Sequence, residues 1–309
     1  MTDLPRYTRR PYAGDADLRA CQAVCRAIER VYPYTTYHPC DIEWWVYYNP
    51  INDLDLIHLW EDEQDNLGGF VVLTLPYGEF EVYVHPQAQG TGLMAEMAAW
   101  GEAQVRQAVA TQPDLLNKFS AIGAASVATS DHALRAWLAA QGYSQEPMNI
   151  VFGQSLTVPL PAPRLPEGYT FLEAMRPEWV DKRADVHASA FHPSRMTAER
   201  YQHFMSAPSY DPTLDIVVVA PDGSFAAFAM TWVDAELKMG EFEPVGTRTS
   251  EQRKGLGRAA LLEGLRRLQA RGMTHASVCC DAKKVGNVLF YQQAGFSERH
   301  RLDCWTKPL

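Results

Sequence analysis

The sequence predicts a mixed α+β protein built from two similar units joined by a stiff connection. Three observations carry that prediction. The chain has 309 residues, enough for two domains of ordinary size. Each half repeats the same order of strand-like and helix-like segments. Between the halves lies residues 157–168, Thr-Val-Pro-Leu-Pro-Ala-Pro-Arg-Leu-Pro-Glu-Gly, with four prolines in twelve residues. Proline removes backbone donors and fixes φ, so this stretch is expected to run extended as a semi-rigid linker. The units it separates are 1–156 and 169–309.

In the second unit the patterning predicts a strand over 169–174 and helices over 177–191 and 197–206. Strands over 214–220, 224–233 and 237–247 follow as a meander. Leu261, Leu265 and Leu268 recur at helical spacing, which marks 256–271 as a helix with Gly272 as its C-cap. A strand over 276–280, a helix over 285–294 and a final strand or two complete the unit. The first unit repeats this more loosely, with strands over 56–60, 68–75, 78–84 and 121–128 and helices over 93–110 and 133–140.

Composition excludes several classes. A hydrophobic content of 47% against 21% charged residues describes a soluble chain with ample core. Nothing resembles an eighteen-residue apolar run, so no membrane span is expected. The amino terminus carries acids and proline instead of the apolar stretch of a secretory signal. Six cysteines form no CxxC pair, and a cytoplasmic protein with reduced thiols is expected. The net charge of −9 is uneven, with 9 Lys+Arg against 19 Asp+Glu in 1–160 and 19 against 18 in 161–309. Nucleic acid is therefore not an expected partner, because phosphate contacts need clustered cations. The nine histidines are scattered without ligand spacing, so no metal is expected. A nucleophile elbow of the G-x-S-x-G kind is missing, which disfavours a hydrolase.

The chemistry concentrates between Glu241 and Arg258. A strand runs into a turn and then a helix through Gln252, Arg253, Lys254, Gly255, Leu256 and Gly257. Glycines let backbone N–H groups approach an anion, and the helix start adds its positive dipole end. Arg248, Arg253, Lys254 and Arg258 gather around the same turn, a set suited to a pyrophosphate. Farther on, Leu289-Phe-Tyr291-Gln-Gln-Ala-Gly295-Phe296 ends a helix, with Gly295 forty residues after Gly255.

The two motifs in this order resemble the GNAT acetyltransferase superfamily, whose Q/R-x-x-G-x-G/A loop holds the pyrophosphate of acetyl-CoA. The similarity covers most of 169–309. It implies two tandem GNAT folds, each a mostly antiparallel twisted sheet flanked by helices. It also implies transfer of an acetyl group from acetyl-CoA to the primary amine of a small molecule by direct attack. Backbone groups of Val245, Gly246 and Thr247 would then pair with the pantetheine arm and offer a donor to the oxyanion. An amine of pKa near roughly 10 arrives protonated, so a base is needed. Glu241 lies where some relatives place one, and Glu243 shares its strand face; both stay open. Tyr291 matches the tyrosine that in many relatives protonates the departing thiolate. Relatives often carry Asn seven residues before it. Here that position is Lys284, with Asn287 nearer.

The first unit carries a degraded form of the loop, Gln87 to Met94, in which two registers fit. The preferred one starts at Gln89, takes Gly92 as first glycine and puts Met94 where a small residue belongs. An ungapped comparison then places Gly78 and Phe80 at the positions of Glu241 and Glu243, and matching Gly142-Tyr143 to Gly295-Phe296 places Leu138 at that of Tyr291. This copy is expected to have lost catalysis. The aromatic run Trp44-Trp45-Val-Tyr47-Tyr48 reads as packing more readily than as a ligand box. A rival to the enzyme is a non-catalytic CoA-binding or interaction protein, a reading the acidic first half motivates.

Overall fold

The structure is a computed structural model and describes residues 5–33, 38–48 and 56–309. The first half runs β1 (Thr8–Pro11), α1 (Asp15–Val31), α2 (Pro39–Tyr48), β2 (Ile57–Glu61), β3 (Leu67–Thr74), β4 (Glu79–Val84), α3 (Leu93–Thr111), β5 (Ala121–Ala128), α4 (His132–Ala140) and β6 (Ser144–Ser155). The second half runs β7 (Thr170–Phe171), α5 (Val180–Ala190), α6 (Ala198–Phe204), β8 (Asp215–Val219), β9 (Phe225–Asp234), β10 (Met239–Thr247), α7 (Leu256–Ala270), β11 (His275–Asp281), α8 (Val285–Gln293) and β12 (Ser297–Pro308). The expected elements appear in the expected order. Missing from the sequence reading were β1, α1, α2 and β6.

All the strands join one sheet in the order β1-β2-β3-β4-β5-β12-β6-β11-β10-β9-β8-β7. Among the described strands, only β4 with β5 and β10 with β11 are parallel. The centre of this order mixes the halves. β6, the last strand of the first half, pairs antiparallel with β11 from His275↔Ser155 to Asp281↔Asn149. β12, the last strand of the second, pairs with β5 from Leu302↔Ala128 to Pro308↔Ala121 and with β6 on its other edge. Each half thus closes its sheet with the other's final strand.

Packing follows the exchange. Ile150, Phe152 and Leu156 of the first half are buried among Phe242, Leu261, Leu265 and Phe296 of the second. In return Trp305 is buried with Phe80, Met97, Ile122 and Leu138. Residues 157–168 carry no helix or strand. They are held against α7, where Gln269 Nε2 donates to the carbonyls of Leu156 at 2.6 Å and Val158 at 3.1 Å.

Two helices lie across the sheet at equivalent places, α3 over β4 and α7 over β10. Each has a glycine where a phenylalanine presses against it. A Cβ on Gly264 would come within 2.5 Å of Phe242, and one on Gly101 within 2.7 Å of Phe80. Each helix also begins one residue after a left-handed glycine, Gly92 at φ 90° and Gly255 at φ 81°. This supports the register that starts at Gln89. The strands differ in one respect. β3 and β4 pair without interruption from Gly69↔Val84 to Thr74↔Glu79, whereas β10 shifts register against β9 between Phe242 and Val245. Counted back from the helix, β10 therefore holds one residue more than β4.

Because Phe152 fills the second half's core from the first half's chain, Phe152→Ala should destabilise the protein by about 3–5 kcal/mol. Denaturant unfolding should show the loss in a single transition. Two separate transitions, only one of them shifted, would contradict a shared core.

Candidate functional site

The site begins where two parallel strands part. β10 and β11 pair from Met239↔His275 to Phe242↔Val278 and no farther. The bulge after Phe242 turns β10 away, while β11 stays paired with β6 through Asp281. Beyond Phe242, one edge of β10 stays bonded to β9 through Val245↔Ala229, Gly246↔Phe228 and Thr247↔Ala227. Its other edge faces the opening, as a strand must to receive an extended ligand. Gly246 has a second reason to be glycine, since a Cβ there would lie 2.5 Å from the Phe228 ring and 2.9 Å from Ala190 of α5.

Thr247 leads through a short turn to Gln252, whose Nε2 lies 3.5 Å from the Thr247 carbonyl. Arg253 and Gly255 both take left-handed backbone, φ 62° and 81°. A Cβ on Gly255 would meet open space, while one on Gly257 would meet Thr247 Oγ1 at 2.7 Å. Gly255 thus serves the turn, and Gly257 lets the helix start sit against the strand end. Leu256 points into the core. The cations divide. Arg248 is bound to Asp185 and donates to the Phe225 carbonyl at 2.9 Å, so it fastens β10 to its neighbours. Lys254 is tied to Glu251 at 3.0 Å and to Tyr169 at 3.1 Å. Arg253 and Arg258 are exposed at the turn.

Tyr291, on the last turn of α8, is buried among Phe152, Phe290 and Phe296. Burial, with the charge of Glu243 second, raises its hydroxyl pKa. It stays protonated and available to donate. Asn287 is exposed on the first turn of the same helix.

Both glutamates face a cavity of about 260 Å³ at the mouth of the opening. Asp41, Trp44 and Trp45 of α2, Asn149 of β6 and Cys279, Cys280 and Asp281 of β11 complete its wall. The first half therefore supplies residues that sequence reasoning missed or assigned to packing. Trp44 does pack, edge-on to Phe204 of α6 with ring centres 4.5 Å apart, and it also lines the cavity. Asp41 had no motif to mark it, and its arrival depends on how α2 docks on the second half.

The electrostatics of this cavity are acidic. Burial holds the Glu243 carboxyl up at about 7. Burial also pushes Asp41 and Glu241 well above the ordinary carboxylate range; the charge of Glu243 adds to the rise at Asp41, that of Asp41 to the rise at Glu241, and the hydrogen bond between the two carboxyls raises Glu241 while lowering Asp41. Asp41 Oδ2 and Glu241 Oε2 are buried and accept no hydrogen bond among the described residues. His38 brings no compensating charge. Its pKa is lowered to about 4 by burial, and its Nδ1 accepts the Cys40 N–H at 3.2 Å, so the proton sits on Nε2, facing the Met239 carbonyl. Glu241 Oε2 lies 3.8 Å from that Nδ1. No group of three or more His, Cys, Asp and Glu suited to a metal occurs among the described residues.

The bulge corrects the comparison of the two halves. With one residue more in β10 than in β4, Glu79 and Glu81 stand at the positions of Glu241 and Glu243, not Gly78 and Phe80. The likeness extends to charge: Glu81 is buried and its pKa is raised to about 7, chiefly by burial. Its oxygens accept from Tyr83 at 2.5 Å and Ser126 at 3.0 Å. It lines a cavity of about 330 Å³ between β4 and β5. The other differences stand. Met94 follows Gly92 where Gly257 follows Gly255, and Leu138 occupies the helix position of Tyr291.

Comparison with known proteins agrees with this anatomy. Residues 172–296 match the acetyltransferase (GNAT) family. A mycothiol acetyltransferase of Streptomyces coelicolor is 30% identical over 192 residues, 57% of this chain and 62% of that protein. One of Thermobispora bispora is 32% identical over 151 residues, 46% of this chain and 51% of that protein. The chain thus spans about half to three fifths of the curated relatives it matches. A GCN5-related N-acetyltransferase from Sphaerobacter thermophilus shares the fold over 98% of this chain and 95% of its own, with TM-score 0.67 and 22% identity. A tandem GNAT protein from the clavulanic acid biosynthesis pathway does so over 98% of both chains, with TM-score 0.66 and 14% identity. Residues 172–296 thus carry the match to the acetyltransferase (GNAT) family, and the chain as a whole has the fold of a tandem GNAT protein.

Proposed function

We propose that the protein is an N-acetyltransferase that moves an acetyl group from acetyl-CoA to the primary amine of a small molecule, and that the transfer takes place in the second half. The observation that carries this reading is a half-buried carboxyl with pKa near neutrality, Glu243, placed where β10 and β11 part and close enough for its charge to act on Tyr291. The curated relatives are acetyltransferases by name, which supports acetyl as the group moved. Six free cysteines support a reducing compartment, the cytoplasm.

In this mechanism the pyrophosphate rests against the backbone of 252–257, with Arg253 and Arg258 as its cations. The pantetheine arm pairs with the open edge of Val245, Gly246 and Thr247, and Asn287 lies beside it on α8. The acceptor amine gives a proton to Glu243, directly or through water, and its nitrogen attacks the thioester carbon. A β10 N–H stabilises the oxyanion. When the C–S bond breaks, Tyr291 supplies a proton to the thiolate and recovers one from the new amide nitrogen, so CoA leaves as the free thiol with N-acetylated product. Of the two glutamates, Glu243 is the base, because its charge acts on Tyr291 while Glu241 turns towards Asp41.

Release of free thiol in the presence of amine tests the reading. Glu243→Gln should lower kcat by roughly a hundredfold or more. In the wild type, kcat/KM should fall as pH drops through about 7, since a base of raised pKa is lost to protonation there. The variant should lack that step and keep only the rise due to the amine itself. Tyr291→Phe should lower kcat about a hundredfold with little change in KM.

Binding is checked separately. Replacing Arg253 and Arg258 with alanine should weaken CoA binding by about tenfold or more for each, as calorimetry would record. Normal CoA binding with no thiol released from any amine would favour the non-catalytic CoA-binding reading.

A further inference from the structure

The acceptor cavity has two poles, and the reaction uses one. Glu243 stands at the pole shared with Tyr291. Glu241, two residues back on the same strand face, stands roughly 6.6 Å farther along and meets Asp41 of α2. We propose that the acceptor is a diamine, or an amine with a second protonated nitrogen at comparable distance, and that Asp41 and Glu241 hold the nitrogen that does not react. The inference rests on the transfer reading for the role of the first nitrogen.

Three observations carry it. Asp41 and Glu241 are 5% and 4% exposed, yet Asp41 Oδ2 and Glu241 Oε2 accept no hydrogen bond among the described residues. Buried acceptors of this kind are normally satisfied, and an ammonium brings three donors. Next, the lining supplies no cation: it consists of acids, two tryptophans, Asn149, Cys279 and Cys280, and His38 beside it is neutral. Without a ligand, the two buried carboxyls share a proton across the hydrogen bond between them. An ammonium would replace it and leave both ionised. Last, Trp44 and Trp45 border the cavity, which suits an alkyl chain and a cation alike.

The spacing selects a length. A second nitrogen must lie about one strand repeat from the first, and an extended 1,4-diaminobutane separates its nitrogens by roughly 6 Å. The chemistry leaves the rest of the mechanism intact. One nitrogen loses its proton to Glu243 and attacks, while the other stays charged throughout.

The experiment compares 1,4-diaminobutane with n-butylamine on the full chain, by thiol release with acetyl-CoA and by calorimetry with CoA bound. The diamine should bind and react about tenfold or more better than the monoamine, with most of the gain in KM. Asp41→Asn should bring the two amines to within about threefold of one another. A length series from 1,3-diaminopropane to 1,6-diaminohexane on the wild type serves if that variant does not fold, and its optimum should lie near four carbons. Equal binding and turnover of diamine and monoamine overturns the inference and leaves the transfer reading standing. So does a preference that survives intact in Asp41→Asn, or a series with no optimum. Preferential, Asp41-dependent binding of the diamine without any thiol release supports the recess and sinks the transfer reading.

Discussion

The exchange of final strands is the constraint on which the rest of this molecule depends. β6 and β12 lie side by side in the middle of the sheet, each bonded along both edges. Through them the two halves share hydrogen bonds and cores. The shared centre fixes how α1 and α2 meet the second half, where Arg26 pairs with Asp234 at 2.6 Å and Trp44 packs on Phe204. With α2 so placed, Asp41 reaches Glu241. The cavity is thus a product of both halves, even though the glycine turn and both proposed proton carriers belong to the second.

The second determinant is local. One extra residue in β10 makes the bulge after Phe242, and the bulge parts β10 from β11. It opens an edge for an extended arm and brings Glu241 and Glu243 to one cavity. Of the four carboxyls there, Asp41, Glu241 and Glu243 are desolvated at a cost, and each responds with a raised pKa that favours its protonated form. The resulting pKa near neutrality is what a proton acceptor needs, so the expense of burial and the fitness for catalysis have one origin.

Much of this was legible in the sequence. The helix over α7 follows from leucine spacing, its start from Gly255, and the glycine turn with Tyr291 indicated the family. What escaped had physical reasons. β6 contains Pro147 and a mixed pattern, and its partners come from the far end of the chain, so no local periodicity reports its place. Asp41 belongs to no motif and gains meaning only from docking. The comparison of Glu241 and Glu243 with Gly78 and Phe80 failed because a bulge changes the count along one strand while leaving the helix that follows unmoved. Arg248 was grouped with the phosphate cations by proximity in sequence, and its partner Asp185 lies on a different helix.

The exchanged strands also bear on how such a chain can change over time. Two copies that had remained independent could be separated again, each taking its own path. Here a break within 157–168 would leave two fragments, each missing the strand that completes it and carrying an orphan that belongs elsewhere. Doubling has become a one-way step. The copy without the tyrosine is retained as the other's scaffold, whatever it binds itself.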